Sequence, residues 1–298
     1  MEVNIFQVDA FSSGPFGGNP AIVVPNSKWI KEKDMQKIAN EMNVSETAFV
    51  HQLADNTFKV RYFTPVCEID LCGHATIATF YTMANMGYIK PIPNGIKEVT
   101  LVTNIGKLPI EICYKNGEVA SIIMQQDKPR SLGEVKNLDE LLKVLGVKRN
   151  QLGFLDDYME PEIISNGVPD ILLPLRDKET LDNLDVDFCE LANVSKKYNV
   201  TGVHVFHLPE KNSSIVYARN FAPLVGINEE AATGTASGAL IYFLRKNNLI
   251  ESNRITSIQG YSLNRASEIH CFIEENANSY RIKVGGNANI VMEGILKF

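Results

Sequence analysis

Two segments of this chain have helical length and carry no charged side chain on any face. One runs from Ala75 to Met86, and the other from Ala236 to Leu244, where Arg245 ends it. A helix that is apolar all round has to be buried all round. A flat sheet covers one side of a helix, whereas a strongly curved sheet wraps it. The chain is therefore expected to curl a sheet about each of two central helices. A membrane span is a poorer reading of the first segment. The charge-free run from Leu71 to Ile89 is diluted by Thr76, Thr79, Thr82 and Asn85, and a span needs about 20 mostly apolar residues.

The two segments also resemble one another, which points to an internal repeat. Gly73, Ala75, Ala78, Tyr81 and Ile89 superpose on Gly234, Ala236, Ala239, Tyr242 and Ile250. Upstream, Arg61-Tyr62-Phe63-Thr64-Pro65 matches Arg219-Asn220-Phe221-Ala222-Pro223, and the run Pro20 to Pro25 matches Pro169 to Pro174. The matches keep their order, and their offset only grows along the chain. A duplicated fold with loop insertions behaves this way.

Each half then reads alike. Val3 to Phe11, Ala21 to Val24, Thr47 to Leu53 and Phe58 to Phe63 are β-branched or aromatic runs bounded by turn residues, hence strands. Ile171 to Leu173, Val203 to Leu208, Ile215 to Tyr217 and Ile269 to Ile273 are their second-half counterparts. Met35, Ile38, Ala39 and Met42 have the spacing of a one-sided helix. Leu138, Leu141, Leu142 and Leu145 share it, between a possible Asn137 cap and Gly146. A further helix is expected near Phe188 to Ala192. The terminal strands, Arg281 to Val284 and Ile290 to Leu296, are expected to return to the first half. The expected domains are residues 1–117, completed by about 286–298, and residues 118–285.

With 298 residues, 45% apolar and 21% charged, the chain has the composition of a globular protein of about two domains. A net charge of −6 argues against nucleic-acid and membrane partners. The odd number of cysteines (Cys67, Cys72, Cys113, Cys189, Cys271) contains no C-x-x-C pair, so neither a disulfide framework nor a structural zinc site is expected. The start, Met1-Glu2-Val3-Asn4, lacks a basic leader. A reducing cytoplasm is the expected location.

Both apolar helices open on a glycine-containing turn, Leu71-Cys72-Gly73-His74 and Ala232-Thr233-Gly234-Thr235. A helix start leaves about four N–H groups unpaired and carries partial positive charge, which suits a carboxylate ligand. The backbone at Gly73, Ala75, Gly234, Thr235 and Ala236 is the candidate anion site. The alternative is that Thr76 and Thr235 hydroxyls cap their own helices. Glu46 precedes a strand and follows a helix, so it is either a base at a pocket mouth or a surface carboxylate. His74, beside a positive helix end, is expected to be a neutral donor or acceptor, or a polar cap. Glu230 either complements the second helix dipole or points into the same cleft as Glu46, where a like charge would raise one carboxyl. His204 and His207, three apart in a strand, face opposite sides. The scattered histidines show no metal-ligand spacing, and no metal or cofactor is expected.

Taken together, these motifs resemble the PhzF-like isomerase family of phenazine biosynthesis, which has the diaminopimelate epimerase fold. The resemblance runs through Asp9-Ala10-Phe11, Gly18-Asn19-Pro20-Ala21, Ser45 to Phe49, Arg61 to Pro65, Leu71 to Thr76, Arg219 to Pro223, Thr233 to Ala236, Gln259-Gly260 and Gly285 to Ala288. It implies an α+β fold of two pseudo-symmetric domains, each a strongly curved, mostly antiparallel sheet around a central buried helix. It also implies a homodimer, with Glu46 as the catalytic carboxylate, His74 and Glu230 in the cleft, and Asn19 lining it. Where the family commonly has Glu-Asp-Pro before the second helix, this chain has Glu229-Glu230-Ala231, and Thr235 replaces a serine. The related two-cysteine epimerases would need a thiol at Thr233. A hydroxyl cannot replace a thiolate as second base, which disfavours two-base epimerisation.

The expected function is a cofactor-free and metal-free isomerase. It would shift a proton on a small amino- or hydroxy-carboxylic acid in an inter-domain cleft, by general acid–base catalysis. Two alternatives stand beside it: a non-catalytic small-molecule-binding protein on the same fold, and a Cys72-dependent epimerase or dehydratase.

Overall fold

The structure, a computed structural model, describes residues 1–276 and 279–298. It divides into two compact units, Met1–Gln125 with Gly285–Phe298, and Gln126–Val284. The expected boundary near Gly117 is corrected to lie after Gln125. Asn116 and Gly117 take positive φ as a tight turn, and the strand Glu118–Gln125 folds straight back on Gly106–Lys115. A hairpin partner cannot leave its sheet without exposing a row of unpaired backbone groups.

In the first unit the C-terminal strand Ala288–Lys297 pairs antiparallel with Glu2–Ala10, which pairs antiparallel with Asn19–Val24. Asn19–Val24 lies parallel to Glu46–Ala54, which is antiparallel to Thr57–Phe63. Thr57–Phe63 runs parallel to Gly95–Thr103, and Gly106–Lys115 follows antiparallel. The second unit repeats this order of directions. Arg130–Glu134, Glu162–Ser165 and Pro169–Pro174 are successively antiparallel. Pro169–Pro174 is parallel to Gly202–His207, and Ile215–Ala222 is antiparallel to it. Ile215–Ala222 is parallel to Arg254–Gln259, and Ser267–Asn276 closes antiparallel. The duplication read from short motifs thus extends to strand order and direction.

The first central helix, Gly73–Asn85, is buried along nearly its whole length. It packs against early strands of its unit (Glu2–Ala10, Asn19–Val24, Glu46–Ala54), late ones (Gly106–Lys115, Glu118–Gln125) and the C-terminal strand. Its threonines are tolerated inside because each hydroxyl donates to the carbonyl one turn back. Thr76 reaches Cys72 O at 2.6 Å, Thr79 reaches Ala75 O at 2.7 Å, and Thr82 reaches Ala78 O at 2.8 Å. The second central helix, Gly234–Lys246, becomes charged only in its last turn, at Arg245 and Lys246. That turn carries the partial negative charge of the helix end, which the two cations complement.

A second apolar layer covers the outer sheet face of each unit. Met35, Ile38 and Ala39 of the helix Glu32–Met42 pack on Ile22, Val24, Phe49 and Phe63. In the second unit Leu138–Leu145 and Phe188–Tyr198 pack on Ile171, Leu173, Val203, Val205 and Phe221. Strand Gly202–His207 is therefore sandwiched, and every one of its residues is buried. Val203 and Val205 face the outer helices, while Phe206 meets Phe243 of the central helix edge-on at 5.4 Å. Among the described residues, no helix is long and apolar enough to cross a membrane.

Candidate active site

The first helix start gathers four of the chemically useful side chains. Glu46 opens its strand at the rung paired with Ala21, two residues past Asn19 on the neighbouring strand. His74 sits in the first helical turn and Cys72 is the N-cap. All four are buried. Glu46 Oε2 stands 2.9 Å from His74 Nε2, at ion-pair distance, and neither atom has a well-aligned hydrogen-bond partner among the described residues. On the other side of the ring, Asn19 Nδ2 lies 3.2 Å and Cys72 Sγ 3.5 Å from His74 Nδ1. The ring thus stands between Glu46 on its Nε2 side and Asn19 with Cys72 on its Nδ1 side.

Electrostatics couple the group tightly. Burial on its own would raise the Glu46 carboxyl, but the charge and hydrogen bonds of His74, helped by Cys72, bring it below its usual value of 4.5. His74 moves the other way. Burial opposes its charged form, yet Cys72 and Glu46 together lift it well above 6.5. The expectation of a neutral histidine is corrected here, because a carboxylate at ion-pair distance outweighs the partial charge of a helix end. The Cys72 thiol is raised, first by burial and then by Glu46. It is a poor thiolate in this setting.

The helix start itself is open to a ligand. Thr76 does not cap it, since its hydroxyl is spent on Cys72 O and on Tyr62 Oη at 2.7 Å. The Ala75 N–H faces Cys72 Sγ, a weak acceptor. An added Cβ at Gly73 would meet nothing within 4 Å, so the backbone borders free space. The Ala75 side chain is in the core and offers a ligand only its N–H. Asn19 is set in place by Gly18, whose φ is +62° and whose added Cβ would lie 2.2 Å from Ala10 O. No L side chain fits there.

The second helix start is built differently. Gln259, wholly buried, accepts from Thr233 N at 3.2 Å and donates to Glu230 O at 2.7 Å and Thr233 Oγ1 at 3.0 Å. Thr233 Oγ1 donates to Glu230 Oε2 at 3.3 Å. Gly260 follows with φ +81°, and a Cβ there would be 2.7 Å from Ala231 O. Ser267 Oγ donates to that same carbonyl at 2.6 Å. This clasp fixes the loop before Gly234. Gly234 and Ala236 are buried, and Thr235 is half-buried without capping the helix. Glu229 is gripped by Arg219 in a fork at 2.9 and 2.8 Å.

Three features escaped the sequence. Glu46, Cys72 and His74 offer ligand atoms within 4.8 Å of one another, which is a donor set able to hold a metal ion. Histidine spacing could not reveal it, because one donor comes from a strand far back in the chain. Asp170 is the second. It is 3% exposed, and burial, with Glu230 nearby and despite the Gly202 N–H, pushes its carboxyl up to about 7. Its signal was an acidic residue inside an apolar strand run. The third is the structural role of Gln259. His204 lies in the core with Asn220 Nδ2 3.2 Å from its Nδ1, and burial drives it down to about 3, so it stays neutral.

Comparison with known proteins agrees with this architecture. A family model described as phenazine biosynthesis-like protein matches residues 8–294. An uncharacterized isomerase of Clostridium acetobutylicum is 33% identical over 98% of this chain and 97% of its own. The uncharacterized isomerase YddE of Escherichia coli is 30% identical over 98% and 97%. A PhzF-family protein of Bacillus anthracis superposes with a TM-score of 0.87, at 26% identity and full coverage of both chains. A hydroxyproline epimerase of Agrobacterium vitis shares the fold alone, with a TM-score of 0.62 at 10% identity over 99% of this chain and 91% of its own.

Proposed function

The chain belongs to the phenazine biosynthesis-like family of isomerases, and we propose that it shifts a proton between carbons of a small amino- or hydroxy-carboxylic acid, with Glu46 as the general base. The observation that carries this is the buried contact of 2.9 Å between Glu46 and His74. At rest His74 holds Glu46 ionised and ready to accept. When a substrate group draws His74 away, burial acts on the carboxylate unopposed and its basicity rises toward that of a working base. Glu46 then takes the proton from a carbon acidified by its neighbours. The electron pair left on that carbon spreads into the adjacent unsaturated group, and the Glu46 carboxyl, whose proton exchanges with solvent, delivers a proton to a second carbon. Nothing is oxidised or lost, so side-chain acid–base chemistry and positioning suffice without a cofactor.

In this proposal the N–H groups at Gly73 and Ala75 bind the substrate carboxylate, Asn19 and His74 orient its polar substituents, and Glu230 with the backbone at Gly234, Thr235 and Ala236 serves the same ligand. A homodimer in the cytoplasm, without nucleic-acid or membrane partners, completes the proposal, and sedimentation tests the dimer. The Cys72-dependent alternative draws on the contact of 3.5 Å between Cys72 Sγ and His74, but a thiol raised by burial argues against it.

The test is proton exchange. A panel of small amino and hydroxy acids is incubated with the protein in heavy water and read by mass spectrometry. Deuterium entering a carbon position of one acid, and failing to enter with Glu46→Gln, supports the assignment. Binding without exchange would make the protein a binder, and exchange surviving in Glu46→Gln would remove Glu46 as the base.

A further inference from the structure

Arg61 and Arg219 occupy matching places on the outer sheet faces of the two units, each over an aromatic ring. Arg61 lies 5.2 Å from the Phe63 centroid and Arg219 lies 5.1 Å from that of Phe221. Each arginine also walls a surface cavity, of about 180 Å³ in the first unit and about 260 Å³ in the second. The two cavities differ in charge. The second holds Lys178, but Asp182 neutralises it at 2.6 Å, and Tyr217 stands where the repeat places Lys59 in the first.

The first cavity is lined by Lys28, His51, Lys59 and Arg61 over a floor that includes Ile30 and Phe49. Arg61 is committed to Glu68 at 2.6 Å and to Glu32 at 2.9 Å. Lys28 and Lys59 have no carboxylate at ion-pair distance among the described residues, although Glu68 feels the charge of Lys59. Partial burial, Lys28 and Lys59 hold the His51 imidazole below its usual 6.5. Two ammonium groups and an imidazole thus converge on one small space. This happens on a chain whose net charge is −6, so the patch is positive against the field of the whole molecule.

We propose that this cavity binds a phosphate dianion, either inorganic phosphate or the head of a phosphomonoester, with Lys28 and Lys59 as counter-charges and His51 as a hydrogen-bond donor. A dianion matches two lysines, whereas a lone carboxylate would leave one unmatched. Arg61 and its two glutamates form a wall of the site rather than a ligand. The site does not depend on the role given to Glu46, and its readout is binding rather than turnover.

The experiment follows the ring-proton resonance of His51 by NMR, assigned by its loss in His51→Gln. Inorganic phosphate and glycerol phosphate are titrated to about 20 mM in separate arms, with acetate and chloride at matched ionic strength. Both phosphates should shift the resonance saturably and raise the His51 pKa by about one unit, since a bound dianion offsets the lysine charges. If only one of them does so, the source is settled and the site stands. The shift should vanish in the double variant Lys28→Gln/Lys59→Gln and persist in Lys178→Gln. The site is overturned if neither phosphate gives a saturable shift, if acetate gives the same one, or if the double variant keeps it.

Discussion

The two helix starts are the same piece of scaffold put to different uses. Each is approached by a strand whose arginine forks onto a glutamate, Arg61 onto Glu68 and Arg219 onto Glu229. Each adjoins a parallel pair of strands with a carboxylate on the equivalent rung. The first half supplies it from the later strand, Glu46 opposite Ala21, and the second from the earlier one, Asp170 opposite Gly202. Glu46 meets a histidine and is lowered, whereas burial, and then the nearby Glu230, push Asp170 to about 7. The first start leaves Gly73 bordering open space, and the second is clasped by Gln259. A duplicated frame can thus leave one helix start bordering open space and use polar bonds to stiffen the other.

The largest expected contrast is between the two carboxylates. Glu46→Gln should lower turnover by at least about 10²-fold, the usual general-base contribution, while Asp170→Asn should cost less than about tenfold. Comparable losses would mean that both rungs do proton chemistry. In Glu46→Gln the His74 pKa should also fall, because burial remains and the carboxylate is gone. The wild-type pair stabilises the fold most between the ordinary values of its members, 4.5 and 6.5. Glu46 loses its part below that window, and His74 loses its part as pH rises through its raised pKa.

Asp170 tests the other half through stability. Its folded pKa is raised from 3.8 to about 7, so the folded state binds more protons than the unfolded chain across that interval. Stability from this group is complete below 3.8 and declines as pH rises through 7, by at most about 4 kcal/mol. Asp170→Asn should melt higher than wild type at pH 8, and the gap should close by pH 4. Equal melting curves at both pH values would show that Asp170 is not buried as an acid.

A smaller effect is expected at the clasp. Gln259→Ala deletes hydrogen bonds to Thr233 and Glu230, and should destabilise by about 1–3 kcal/mol in chemical denaturation, the cost of leaving buried partners unsatisfied. A neutral result would make the second start as loose as the first. The smallest effect is assigned to Cys72→Ser, less than about tenfold in turnover, since a raised thiol is not the base. A loss as deep as that of Glu46→Gln would restore a thiol-based mechanism.

How much of this was legible depended on distance along the chain. His74 and Cys72 lie two residues apart in one turn, so a polar helix start was readable. That their partner is Glu46, from a strand before the helix, required the parallel pairing of Asn19–Val24 with Glu46–Ala54. The units divide after Gln125 rather than near Gly117, because Asn116-Gly117 is a hairpin turn whose two strands stay paired.

The sequence by itself determined the duplication and the burial of both central helices, because charge-free faces and repeated proline and glycine positions are local properties that solvent and backbone sterics act on directly. Only the tertiary structure decided which helix start gathers a carboxylate–histidine pair and which is clasped. That depends on side chains such as Glu46, Gln259 and Asp170, whose charge and hydrogen bonding are set by neighbours far away in the chain.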